Sequence, residues 1–242
     1  MSAKKALLAF TAVCAAASLT SAAELPSRAS TLGRSPDLRS PGAATAPVGR
    51  PTPISVPDDA PRRGLRLVWD DPAGAAGRWG DGARAETARL FKAMGIPATW
   101  RESSAGEALN DEEIAVILLD RDARADRSGL ILGATPEHFA GAPFVWVHVP
   151  SVREVLGMGG RDPWSLELPD GYALGIALGR VIAHEIVHAV TPATPHGHGL
   201  MASRLTRRDL TAATLEVPPD VTATVRSILA RGLDAQGADA RR

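Results

Sequence analysis

From Asp170 to about Val190 the chain is apolar on almost every side, yet two histidines and a glutamate interrupt that run near its end. Leu174, Ile176, Leu178, Val181, Ile182, Ile186 and Val187 cover most of the circumference of a helix. Such a helix belongs inside a domain, with Asp170 as its N-cap and Thr191-Pro192 as its end. The interruption reads His184-Glu185-Ile186-Val187-His188, the pattern H-E-x-x-H. Residues four apart stack on one helix face, so His184 and His188 can chelate one ion while Glu185 projects beside them as a base. Uncompensated His and Glu would be costly in such a helix, and a metal supplies the compensation. The alternative is a pair of satisfied core histidines.

A catalytic zinc (Zn2+) takes three protein ligands and keeps a position open for water. Because the helix stops at Pro192, the chain can turn back toward the metal, and His196 and His198 both lie within reach. His196 is the expected third ligand; His198 is the alternative, and a carboxylate such as Glu216 is a further one. Cysteine does not compete. The one cysteine, Cys14, falls in a segment expected to be removed.

That segment is residues 1–23. Lys4 and Lys5 precede an apolar stretch, Ala6 to Leu19, that is short for a membrane span, and Ser21-Ala22-Ala23 suits signal peptidase. The expected location is therefore secreted or periplasmic, with no stable membrane insertion after cleavage; an uncleaved anchor is the alternative. Val13 before Cys14 argues against a lipoprotein. Lysine plus arginine equals aspartate plus glutamate at 27 each, a balance that gives no support for a nucleic-acid partner. Residues 24–62 are rich in Pro, Ser, Ala, Gly and Arg without apolar periodicity, and read as a disordered linker or short propeptide. Residues 232–242 read as a polar tail.

Residues 63–231 remain as one folded unit. Leu65, Leu67 and Trp69 mark a first strand. A helix is expected from about Gly82 to Met94, capped by Asp81 and stopped by Gly95. Pro97 to Arg101 reads as a second strand, and the continuous apolar run Ile114 to Leu119 as a central strand buried on both faces. Leu130 to Leu132 is a further candidate strand, Phe144 to Val149 another, and a short helix follows to about Leu156. Gly157 to Pro169 reads as a loop. Thr206-Arg207-Arg208-Asp209 resembles a capping box, and Pro218-Pro219-Asp220 opens a last helix striped by Val221, Val225, Ile228 and Leu229.

His184 to Met201 resembles the metzincin zincins, above all the matrixin-like proteases. In these a Gly follows the second His by three residues, the third His comes three later, and a Met-turn underlies the zinc. Here Thr191 and Thr194 occupy those two positions, so the turn is two residues longer, while Gly199-Leu200-Met201 stands where the Met-turn falls. A closer resemblance is to predicted exported bacterial metalloproteases with H-E-I-G-H, a delayed His and G-L-M. Their upstream module also has a strand, a helix, a counterpart of Gly95-Ile96 leading to Trp100, and a V-x-V strand before a helix. The resemblance spans roughly Leu65 to Leu229, and in it the delayed His aligns with His196. Val187 replaces the usual Gly before the second His.

The resemblance implies an α/β (α+β) zincin-like domain with a mixed twisted sheet, an active-site helix and a small C-terminal helical subdomain. It also implies zinc-assisted hydrolysis of a peptide or protein substrate, with Glu185 carrying the proton and Met201 in the Met-turn. The rival reading is a non-catalytic exported zinc-binding or interaction protein on the same scaffold. Tyr172, the one tyrosine, lies about 18 Å from His184 along a straight helix and is too far to assist. His148 is expected at a surface or core edge, on a strand that could pair with an extended peptide if it borders the cleft. Arg180 is expected in a helix-surface salt bridge, Trp164 as a packing anchor, and His138 and Arg124 to Arg127 in solvated loop.

Overall fold

In the computed structural model, residues 64–121, 124–125, 129–136 and 143–231 are described. The expected signal segment, linker and tail, and His138, lie outside them. The strands are β1 (Leu65–Asp70), β2 (Ala98–Glu102), β3 (Glu113–Leu119), β4 (Arg124–Ala125), β5 (Gly129–Leu130), β6 (Gly133–Ala134) and β7 (Phe144–His148). The helices are α1 (Gly80–Ala93), α2 (Val149–Val155), α3 (Leu168–Val190), α4 (Arg207–Thr211) and α5 (Pro219–Arg231). Five strands form a mixed sheet in the order β2-β1-β3-β7-β6, parallel except where β6 pairs antiparallel with β7. Parallel neighbours need a crossover, and α1 supplies it between β1 and β2. The mixed α/β class with a mixed sheet, implied by the resemblance, is the class observed.

Register explains where the core sits. Leu67 stands beside Ile114, Trp69 beside Val116, Val116 beside Val145, and Leu118 beside Val147. All of these are nearly inaccessible and join residues of α1 and α3 in one core. β3 is central, as expected, but it is not buried on both faces: Ile117, beside Trp146, and Leu119, beside His148, point the other way and stay half-exposed. The candidate strand Leu130 to Leu132 is divided instead. Gly129–Leu130 pairs with β4, and Gly133–Ala134 forms the sheet edge against β7.

α1 and α3 approach with backbones close together because α3 carries glycine every fourth residue. A Cβ at Gly171 would stand 1.9 Å from the Trp79 ring, and one at Gly179 would stand 2.6 Å from the Ala83 carbonyl. Gly175 meets Gly82 at the same seam. Thr87 closes it by donating to the carbonyls of Ala83 and Gly179, at 2.9 and 3.1 Å. Each such glycine costs a helix about 1 kcal/mol against alanine, so close packing must offset it. A groove of about 190 Å³ lined by Trp79, Gly82, Gly171, Tyr172 and Gly175 is the space these small residues leave.

Helix starts depart from the caps read in the sequence. α1 begins at Gly80 with Trp79 as N-cap, after a 3-10 turn at Gly77–Trp79, and Asp81 sits in its first turn. α3 begins at Leu168 with Glu167 as N-cap, because Pro169 lacks only an N–H that a first turn does not use. Asp170 therefore lies inside the first turn, where its charge suits the helix dipole. The capping box at Thr206 and Asp209 forms as expected. Trp164 is no anchor: it is 57% exposed on a 3-10 turn, Pro163–Ser165, capped by Asp162. α4 and α5 pack on α3, α5 through Val221, Val225 and Leu229. α3 is long and apolar enough to cross a membrane by length and composition, but most of it is buried within the domain.

Candidate metal centre

α3 carries the site at its C-terminal end. Ala183, Ile186, Val187 and Val190 anchor this last stretch in the core, and His184 and Glu185 are buried with them. Thr191 ends the helix: its N–H and its hydroxyl both donate to the Val187 carbonyl, at 2.7 and 2.5 Å. A turn follows in which the Thr194 N–H donates to the Thr191 carbonyl. This longer turn returns the chain so that His196 faces the helix.

His184, His188 and His196 each offer a ring nitrogen, and these atoms lie within 4.8 Å of one another. The rings stand 4.8 to 5.5 Å apart between centroids. His188 Nε2 and His196 Nε2 are 3.2 Å apart, a separation at which they share one proton or turn both lone pairs to a cation. Three nitrogens around one tetrahedral zinc stand about 3.3 Å apart, given bonds of about 2.0 to 2.1 Å, so the set fits that ion with small ring adjustments. Accessibility rises from buried His184 through His188 to exposed His196. The cluster thus opens toward solvent.

The segment after the turn fixes the tautomer of His184. Leu200 presents its carbonyl 2.7 Å from His184 Nδ1, and a carbonyl can only accept, so Nδ1 carries the proton and Nε2 keeps its lone pair. Leu200 is held by its own N–H, which donates to the Glu216 carbonyl at 2.7 Å. Gly199 makes that approach possible. Its φ is 58°, and a Cβ there would stand 2.3 Å from the Glu216 carbonyl oxygen. Met201 is buried in the 3-10 turn Gly199–Met201, and its carbonyl accepts from the Gly197 N–H at 2.7 Å.

Burial sets the electrostatics. It lowers the His184 pKa against the pull of the Leu200 bond. Burial and then the neighbouring His184 and His196 bring His188 down to about 4. Both rings are therefore neutral near pH 7, as ligands must be. Burial also pushes the Glu185 carboxyl up to about 7, against the opposing hydrogen bond from Thr135.

His198 lies outside the cluster. It is exposed, with Nε2 at 3.6 Å from Glu216 Oε1, and the Glu216 side chain is itself exposed. Tyr172 is exposed on the first turn of α3, at the other end of the helix. His148 is buried at the end of β7, its Nδ1 at 3.1 Å from the Arg121 carbonyl. β7 does not border an open edge; β6 does. Arg180 is not on the helix surface. It is 1% exposed and donates to Glu86 and to the carbonyls of Asp209 and Ala212.

Thr135 and Gly133, which no sequence pattern singles out, both meet Glu185. Thr135 Oγ1 lies 3.0 Å from Glu185 Oε2, and a Cβ at Gly133 would stand 2.6 Å from Glu185 Cγ. Only the glycine beside the short candidate strand hinted at a close approach.

No family model matches this chain, and no curated protein matches it. Among solved structures, archaemetzincin from Methanopyrus kandleri is similar at 10% identity with a TM-score of 0.48, covering 71% of this chain and 98% of that one.

Proposed function

We propose that this chain is a zinc-dependent metallopeptidase that hydrolyses peptide bonds in a peptide or protein substrate. The observation that carries this reading is the convergence of His184, His188 and His196, with ring nitrogens within 4.8 Å of one another. In this reading the three imidazoles would hold the ion, at a cluster whose outermost ring, His196, is exposed. A zinc ion held there would supply Lewis acidity toward the scissile carbonyl and the attacking water.

Glu185, next to His184 on the helix, takes the proton of the attacking water and passes it to the leaving amine. A carboxylate beside the ion is the kind of group that can take a proton and return it within one cycle. The Leu200 carbonyl keeps His184 in the ligating tautomer. Met201, buried under this segment, is the Met-turn residue. Residues 1–23 supply export, so the enzyme acts in the periplasm or outside the cell.

The full chain, loaded with zinc and incubated with a broad peptide library, tests this. Wild type should cleave, and Glu185→Gln should keep zinc while losing about 10²- to 10⁴-fold in kcat/KM. Zinc-loaded wild type that cleaves nothing would favour the non-catalytic zinc-binding reading.

A further inference from the structure

Glu185 is the buried carboxylate of the site, and the described structure gives it no cationic partner. Its side chain has three rotatable bonds, and a proton carrier must sit within hydrogen-bond reach of the proton it takes. What fixes it comes from a different part of the chain. Thr135, just past the edge strand β6, brings its hydroxyl 3.0 Å from Glu185 Oε2 and 2.9 Å from the Glu185 backbone carbonyl. A hydroxyl has one proton, and both acceptors belong to the same residue, so either bond ties Glu185 to β6.

Gly133, two residues earlier, turns toward the same group. A Cβ there would stand 2.6 Å from Glu185 Cγ and 2.8 Å from Oε1. β6 and the residue just past it therefore form a slot with one empty position, at Gly133, and one hydroxyl, on Thr135. The empty position admits the carboxyl, and the hydroxyl orients it.

We propose that Thr135 is the positioning residue of Glu185, acting from a slot that Gly133 keeps open. The proposal rests on the reading of Glu185 as proton carrier for its effect on rate, but not for its effect on geometry. Thr135→Val keeps the shape and removes the donor, Thr135→Ser keeps the donor, and Thr135→Ala serves if the valine variant does not fold. In the zinc-loaded full chain, acting on the peptide cleaved best from a random library, Thr135→Val should lower kcat about 10- to 100-fold. KM and zinc affinity should stay within about twofold, and Thr135→Ser should restore kcat to within about threefold. Crystal structures of the zinc-loaded variants give a readout free of turnover. The Glu185 carboxyl should stay in place with Ser and swing away from β6 with Val or Ala. An unmoved carboxyl with unchanged kcat in the donorless variants would overturn the proposal. A carboxyl that moves in a protein unable to cleave any peptide would uphold the positioning and sink the peptidase reading instead.

Discussion

Arg180 and Glu185 lie little more than one turn apart on α3, and both are buried, yet their charges are handled in opposite ways. Arg180 donates from Nε to Glu86 at 3.0 Å and from its two terminal nitrogens to backbone carbonyls at 2.6 and 2.7 Å. Burial pushes the Glu86 carboxyl up, but hydrogen bonds from Arg89 and Arg180 outweigh it and hold it below its ordinary value. That half of α3 uses buried charge to tie three pieces of chain together: α1, α3 and the end of α4. Glu185 has a threonine hydroxyl instead of a cation, and nearby two imidazole nitrogens face each other across 3.2 Å. Polar atoms with every partner in place build structure. Polar atoms buried with capacity left over are where a ligand or a proton is expected.

The largest way to test that division is at Arg180. Arg180→Ala leaves Glu86 buried with its remaining partner Arg89 and frees two backbone carbonyls. It should cost about 3 to 5 kcal/mol in urea denaturation, the scale for breaking a buried pair, while zinc stoichiometry of the folded fraction stays as in wild type. A variant that kept its stability but lost metal would erase the distinction between the two halves.

A smaller, sharper comparison sets Glu113 against Glu185 in metal-free protein. Arg101 hydrogen bonds hold the Glu113 carboxyl down at about 2, from an ordinary 4.5. Its stabilising contribution is thus complete above about 4.5 and lost as pH falls toward 2. Glu185, raised from 4.5 to about 7, has the reverse sign. The folded state resists its ionisation, a cost absent below about 4.5 and growing as pH rises through 7. Glu113→Gln should therefore lower the melting temperature at pH 7, with the difference shrinking in acid. Glu185→Gln should raise it at pH 8 and leave it unchanged at pH 4. Shifts of the same sign in both variants would contradict the contrast.

The legibility of the sequence follows the same line. α3, its histidine pattern and the Thr206 capping box are local, encoded by spacings of three and four residues, and could be read directly. Sequence places Arg180 on the surface because its partner Glu86 is 94 positions away and no local spacing announces it. Thr135 is invisible in the sequence because it meets Glu185 across 50 positions, just past a strand too short to show a period. Asp81 and Asp170 look like caps in the sequence, but the chain is already helical before them, from Gly80 and from Leu168. Hydrophobicity alone would place Trp164 inside, but a capped 3-10 turn holds it outward.

Metal analysis of the purified chain and its histidine variants tests the central claim most directly. Wild type should carry one zinc per chain, His196→Ala should lose it, and His198→Ala should keep it. A folded wild type that binds no zinc, or a loss of zinc on His198→Ala but not on His196→Ala, would contradict the assignment.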